Sequence, residues 1–323
     1  MRALFLTAVA PFPKLSMILT MNGVPILALM LAVAAACTTT ESPTDRPTVV
    51  AAFYPVAEAA ERVGGDRVDV VNLTAAGTEP HDLELGPNEV VLIGEAAVVL
   101  YLGGGLQPGI EDALREREGP SVDLLAGITL RDAEEDEHEE EGEEHAGEEA
   151  DPHVWLDPHH MIAIAEGIRD ALGAADPDNA ETYEVNAEAY LAELEALDRD
   201  FSEGLAVCTG RTMVVSHAAF GYLGGRYGLE QHAITGISPD DEPSARRLAQ
   251  LAELVRDEGI TTVFTETLVD PSVARTLADE AGVATAVLDP IEGLSGEQLA
   301  AGEDYATVMR ANLETLRAAL GCT

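Results

Sequence analysis

With 323 residues and 46% apolar side chains, the chain is long enough for two domains of ordinary size, and aromatics at 4% leave their cores to Ala, Val, Leu and Ile. Its formal net charge of −41 excludes nucleic-acid binding and disfavours docking on an anionic lipid surface. The same field attracts cations.

The chain opens on a targeting segment, residues 1–36. Arg2 and Lys14 are its only charges, and Val24 to Ala36 is an apolar run too short to cross a bilayer but long enough for a signal peptide. It ends in Ala34-Ala35-Ala36-Cys37, followed by a Thr/Ser/Pro stretch. Small residues before a cysteine look like a bacterial lipoprotein signal, with Cys37 lipidated and residues 37–47 a tether. Simple secretion and an uncleaved anchor are the alternatives, and Met17 and Met21 are alternative starts. In an exported chain the two remaining cysteines, Cys208 and Cys322, most economically form one disulfide.

From Pro47 onward strands and helices alternate. Strands are expected at Thr48–Phe53, Val68–Leu73, Val98–Leu102 and Val122–Leu125, with helices at Val56–Val63 and after Gly86-Pro87-Asn88. Asp132 to Ala150 is almost all carboxylate and carries His138 and His145; it is expected to be a solvated loop, read either as a charged linker or as a weak, transient metal sink. Pro158 to Leu172 is an amphipathic helix. Asp176-Pro177-Asp178 starts a longer one that runs towards Leu205, with Tyr183, Ala187, Tyr190, Leu191, Leu194, Leu197 and Phe201 as its apolar stripe. Then alternation resumes, with strands at Thr212–Ser216, Ala233–Ile237, Thr261–Thr265 and Thr285–Leu288. Its helices are a Gly-rich one ending at Tyr227, then Ser244–Arg256, Pro271–Ala281 and Tyr305–Leu320. The pattern is α/β: two lobes with parallel sheets, 48–175 and 207–323, joined by one long helix over 176–206.

Four potential ligands, His81, His153, His217 and Asp289, fall at strand ends or just beyond, two in each lobe. Open α/β sheets bind ligands outside the carboxyl ends of their strands, so an interlobe cleft can gather all four. Three imidazoles and one carboxylate suit Zn²⁺. His159 and His160 open a helix and are read as structural or surface groups, and His232 has no evident partner.

The segments Pro80-His81-Asp82, Asp151-Pro152-His153-Val154-Trp155-Leu156-Asp157-Pro158, Val215-Ser216-His217-Ala218-Ala219-Phe220-Gly221-Tyr222, Val263-Phe264-Thr265-Glu266 and Leu288-Asp289-Pro290 resemble the zinc- and manganese-binding substrate-binding proteins of ABC importers, from about Thr48 to Leu320. The resemblance implies two (β/α)4 lobes around a rigid helix and a metal ligated by His81, His153, His217 and Asp289. Glu266, and Glu79 beside His81, would orient imidazoles from behind. Histidine rather than glutamate at position 217 favours zinc over manganese or iron. The family implies no enzyme but an extracytoplasmic, lipid-anchored, monomeric receptor with an ABC permease and its ATPase as partners. Rival readings are a manganese receptor, a surface buffer or adhesin, and a zinc hydrolase with Glu266 as base; the last lacks a His-Glu-x-x-His helix.

Overall fold

Short β-branched runs form two parallel sheets. The computed structural model describes residues 46–132 and 150–323. The signal segment, Cys37, the acidic loop's interior and its His138 and His145 lie outside the described residues. In the first lobe β1 (Thr48–Ala51), β2 (Asp69–Asn72), β3 (Val98–Tyr101) and β4 (Ser121–Asp123) lie in the order β2-β1-β3-β4. In the second, β5 (Thr212–Val215), β6 (Glu230–Ala233), β7 (Thr262–Thr265) and β8 (Ala284–Val287) repeat that topology as β6-β5-β7-β8. Every pairing is parallel. The inner strands β1, β3, β5 and β7 are nearly continuous apolar runs and are buried, as parallel sheets covered on both faces require, whereas β2, β4 and β6 carry polar residues and β8 is largely exposed.

The helices cover the sheets: α1 (Tyr54–Gly64), α2 (Pro87–Glu95), α3 (Pro108–Arg115) and α4 (Pro158–Ala175), then α5 (Ala180–Gly204) between the lobes. The second lobe adds α6 (Gly221–Tyr227), α7 (Ala245–Asp257), α8 (Ser272–Ala281), α9 (Gly296–Ala301) and α10 (Tyr305–Leu320). With 25 residues, α5 is about 37 Å long, enough to run the length of both lobes. Of its expected stripe, Tyr183, Ala187, Tyr190, Leu194, Leu197 and Phe201 are buried and Leu191 is half-buried, so the aromatics are core. Asp176 does not cap a continuous helix. Pro177–Asn179 is a 3-10 turn, and the Asp176 carboxylate accepts bonds from the Asn179 amide and the Tyr183 hydroxyl. No helix among the described residues is long and apolar enough to cross a membrane.

Three local expectations shift. The strand expected at Ala233–Ile237 forms at Glu230–Ala233, because an edge strand alternates and its outward residues are polar. Helices α3 and α9 were not anticipated. The second is six residues long and is held by a Ser295–Gln298 capping box rather than by an apolar stripe.

One buried cluster runs without interruption from Val49 in the first sheet through Trp155 and α5 to Phe264, Leu288 and Leu320 in the second lobe. Polar contacts stitch it as well. The Trp155 indole N–H donates to Pro290 O at 2.8 Å, the Tyr305 hydroxyl donates to Trp155 O at 2.6 Å, and the Tyr305 amide donates to Glu58 at 2.8 Å. Cys208, before β5, is disulfide-bonded to Cys322, after α10, so the second lobe is closed on itself.

Candidate metal centre

All four residues at the centre sit beyond the carboxyl ends of strands or in the segment that returns from the acidic loop. His81 lies in the 3-10 turn Pro80–Asp82 after β2, His153 just before the turn Val154–Leu156, His217 two residues past β5, and Glu292 five residues past β8. Their ligand atoms lie within 4.8 Å of one another. Glu292 Oε1 is 3.1 Å from His217 Nε2 and 3.4 Å from both His153 Nε2 and His81 Nε2, and the His153 and His217 Nε2 atoms are 3.3 Å apart. Donors bound at zinc's usual distances stand about 3.3–3.4 Å apart along a tetrahedron's edges. Four of the six edges therefore already have the spacing of a zinc tetrahedron. The side chains of His153, His217 and Glu292 are at most 1% exposed and that of His81 is 9% exposed, so an ion here would be stripped of water. His81 Nε2 and Glu292 Oε2 are buried without a hydrogen-bond partner, as donors awaiting a cation would be.

The far side of two rings is tied down. His217 Nδ1 donates to Glu266 Oε1 at 2.8 Å, which also accepts the His217 amide at 3.0 Å. His153 Nδ1 donates to Asp151 Oδ1 at 2.8 Å, and the same oxygen accepts the His153 amide at 2.9 Å. A proton held on Nδ1 leaves the Nε2 lone pair facing the centre, and the carboxylate makes that nitrogen a better donor. Glu79 Oε1 accepts the His81 amide at 3.3 Å. Gly221 gives this arrangement room, since a Cβ there would come within 2.9 Å of Asp151 Oδ2.

The electrostatics match a site waiting for a cation. Burial opposes charge on His217, but the Glu266 and Glu292 carboxylates outweigh it and hold the imidazole well above its ordinary range. Burial likewise opposes protonation of His153, and hydrogen bonds to Asp151 and Glu292 overcome it and raise the group. Glu292 is buried, which alone would raise it, yet the three imidazoles hold it well below the ordinary carboxylate range. Glu79 is pushed up to about 9 by burial and by the Glu292 charge, so it stays protonated at neutral pH.

Among the expected site residues, His81, His153 and His217 are brought together, and Glu266 stands behind His217. Asp289 is a correction: it lies outside the cluster. Its Oδ1 accepts the Ile291 amide at 2.8 Å, and its Oδ2 accepts the Thr267 hydroxyl at 2.6 Å and the Gln298 amide at 3.1 Å. The carboxylate facing the imidazoles is that of Glu292, three residues on. Asp151 was not anticipated as a partner of His153. A signal was available in the order acid-Pro-His, which occurs at Glu79-Pro80-His81 and Asp151-Pro152-His153, and also at Asp157-Pro158-His159, whose histidine lies outside the cluster. His160 stacks edge-on against Tyr222 and pairs with Asp157 at 3.3 Å, and the His159 amide is capped by the same carboxylate. His232, expected without a partner, meets Glu230 at 3.1 Å.

Comparison with known proteins also points to zinc. The family model described as zinc-uptake complex component A, periplasmic, matches residues 49–319. The chain is 41% identical over 290 residues to the zinc-binding lipoprotein AdcA of Streptococcus pneumoniae serotype 4, covering 87% of this chain and 57% of that protein. It thus spans little more than half the length of the AdcA relatives. It is 34% identical over 313 residues to the high-affinity zinc uptake system protein ZnuA of Bacillus subtilis, covering 93% and 97% of the two chains. The crystal structure of the Zn(II)-bound ZnuA-like domain of Streptococcus pneumoniae AdcA superposes with a TM-score of 0.72 at 39% identity, over 85% of this chain and 99% of that one. With its family model matched from the first strand into the last helix, the chain belongs to the zinc-uptake complex component A family.

Proposed function

We propose that the chain is the extracytoplasmic zinc receptor of an ABC-type importer, binding Zn²⁺ through His81, His153, His217 and Glu292 and carrying out no reaction on it. The observation that carries this reading is the buried set of three Nε2 atoms and one carboxylate oxygen at tetrahedral spacing. Three nitrogens and one oxygen are a borderline donor set that favours zinc over the harder Mn²⁺. Four protein donors complete a tetrahedron and leave no position for an attacking water, which argues against a zinc hydrolase. The relatives' names, a high-affinity zinc uptake system protein and a zinc-uptake complex component, support a role in uptake, with a permease and its ATPase as the partners. Cys37 anchors the mature chain to the outer face of the membrane. This part rests on the small residues before that cysteine and on the lipoprotein name of the pneumococcal relative.

The test is a competitive titration of the chain from Thr38 onward with Zn²⁺ and Mn²⁺ against a chromophoric chelator. The expected result is one tight zinc equivalent and much weaker manganese binding. Absence of a tight equivalent, or a preference for manganese, would refute the reading.

A further inference from the structure

We propose that Asp289 is the positioning residue of the metal centre: its carboxylate straps the Asp289–Ile291 turn into a disfavoured backbone conformation and thereby aims Glu292 at the three imidazoles. The proposal rests on the zinc reading given above.

Ile291 has φ of +54° and is the only non-glycine residue with positive φ among the described residues. For a branched side chain this left-handed region is disfavoured by roughly tenfold. A glycine would avoid that cost, but the Ile291 side chain is fully buried in the main core and holds the turn down. Two hydrogen bonds keep the backbone in place between Asp289 and Glu292. Asp289 Oδ1 accepts the Ile291 amide at 2.8 Å, and Pro290 O accepts the Trp155 indole from the first lobe at 2.8 Å. Trp155 stands two residues from His153, so the second bond ties the turn to the opposite half of the centre. The Asp289 backbone is itself fixed, donating to Asn312 Oδ1 at 2.9 Å and accepting from Asn312 Nδ2 at 2.7 Å. None of the donors to the Asp289 carboxylate belongs to the cluster.

The sequence context supports the same role. In Glu79-Pro80-His81, Asp151-Pro152-His153, Asp157-Pro158-His159 and Asp270-Pro271-Ser272 the acid accepts the amide of the residue two positions on. Asp289-Pro290-Ile291 does so as well. Proline cannot donate and presets the turn, and the acid closes it. In the first two cases the residue so placed is itself a histidine of the centre. In the last it is Ile291, and the donor follows one residue later.

A double-mutant cycle on the whole protein tests this, with zinc affinity by chelator competition and the visible spectrum of the Co²⁺ form as readouts. Asp289→Ala is expected to weaken zinc about 10–100-fold, as loss of an outer partner does. It is also expected to alter the tetrahedral Co²⁺ spectrum. Asp289→Asn keeps the Oδ1 acceptor and should recover most of that loss. It also serves should the alanine variant fail to fold. In a Glu292→Ala background, Asp289→Ala should cost little more, because it acts through Glu292. Additive losses, or an asparagine variant as weak as the alanine one, would overturn the proposal and make Asp289 an independent ligand. If Glu292→Ala alone leaves zinc binding unchanged, the four-residue centre fails and the proposal falls with it. If the wild-type chain shows no tight zinc equivalent, the zinc reading itself is what has failed.

Discussion

Replacing Glu292 with alanine removes the one carboxylate among the described residues that touches all three imidazoles, at 3.1–3.4 Å from their Nε2 atoms. Loss of an outer partner typically costs 10–100-fold in metal affinity, so loss of a charged ligand that is itself only 1% exposed should cost at least about 100-fold. The consequence for stability follows from linkage. With free zinc at 1,000 times the wild-type dissociation constant, binding stabilises the fold by about 4.1 kcal/mol; after a 100-fold loss the same zinc stabilises it by only about 1.4 kcal/mol. At about 1.5 °C per kcal/mol for a chain of 323 residues, zinc should raise the wild-type melting temperature by about 6 °C and that of Glu292→Ala by about 2 °C. The sign with pH can also be worked out. Glu292 helps to hold His217 protonated in the metal-free protein, so zinc must displace that proton and wild-type affinity rises with pH. The variant has less proton competition to overcome, and its deficit should therefore widen as the pH is raised. A zinc-induced shift in Glu292→Ala equal to that of the wild type, or a deficit that shrinks as pH rises, would refute the reasoning.

Three further outcomes follow from the fold. Replacing residues 133–149 with an Asn-Gly turn should leave the tight zinc equivalent intact, because Asp132 and Ala150 already pair as an antiparallel bridge and the Asp151 amide donates to Arg131 O at 3.0 Å; loss of tight binding in a titration would show that the loop belongs to the site. Changing Cys208 and Cys322 to serine opens a closure spanning 114 residues and should cost about 4–5 kcal/mol in a urea melt, with zinc affinity retained because the bridge sits at the opposite end of β5 from His217. Asp198, on α5 and bonded to α6, is held below its ordinary range by hydrogen bonds from Arg226 and Tyr227 against a burial penalty, so its contribution is present above the unfolded value and fades as pH falls through the folded one. The urea midpoint of Asp198→Asn should lie below the wild type at neutral pH and converge with it in acid; a gap that does not depend on pH would contradict the assignment.

Much of the fold could be read from the chain because its signals are local. Runs such as Thr-Val-Val-Ala and Thr-Val-Phe-Thr are β-branched and apolar, and they become the buried inner strands β1 and β7. The stripe from Tyr183 to Phe201 has helical spacing and becomes the buried face of α5. What failed was set by neighbours. Glu230-Gln231-His232-Ala233 carries only the alternation of an edge strand, and α9 stands on a capping box with no buried residue. The cross-lobe bonds from Trp155 and Tyr305 join residues about 135 and 150 positions apart, and no local pattern announces them.

At the metal centre the histidines were legible and the carboxylate was not, and the difference is physical. A histidine after Pro80 or Pro152, or at the end of an apolar strand, is a polar group in an unusual place, and burial forces it to find a partner. The last turn offers two acids, Asp289 and Glu292, and both are buried. Choosing between them depends on where the backbone goes after Pro290, and a positive φ at an isoleucine is a conformation that residue type argues against. The choice can still be recovered from chemistry. Of the acids directly before a proline, Glu79, Asp151, Asp157 and Asp270 spend the carboxylate on the amide two residues on, whereas Asp176 spends it on the side chains of Asn179 and Tyr183. Asp289 has that context and Glu292 lacks it, so the shorter acid closes the turn and the longer one is left free to reach the ion.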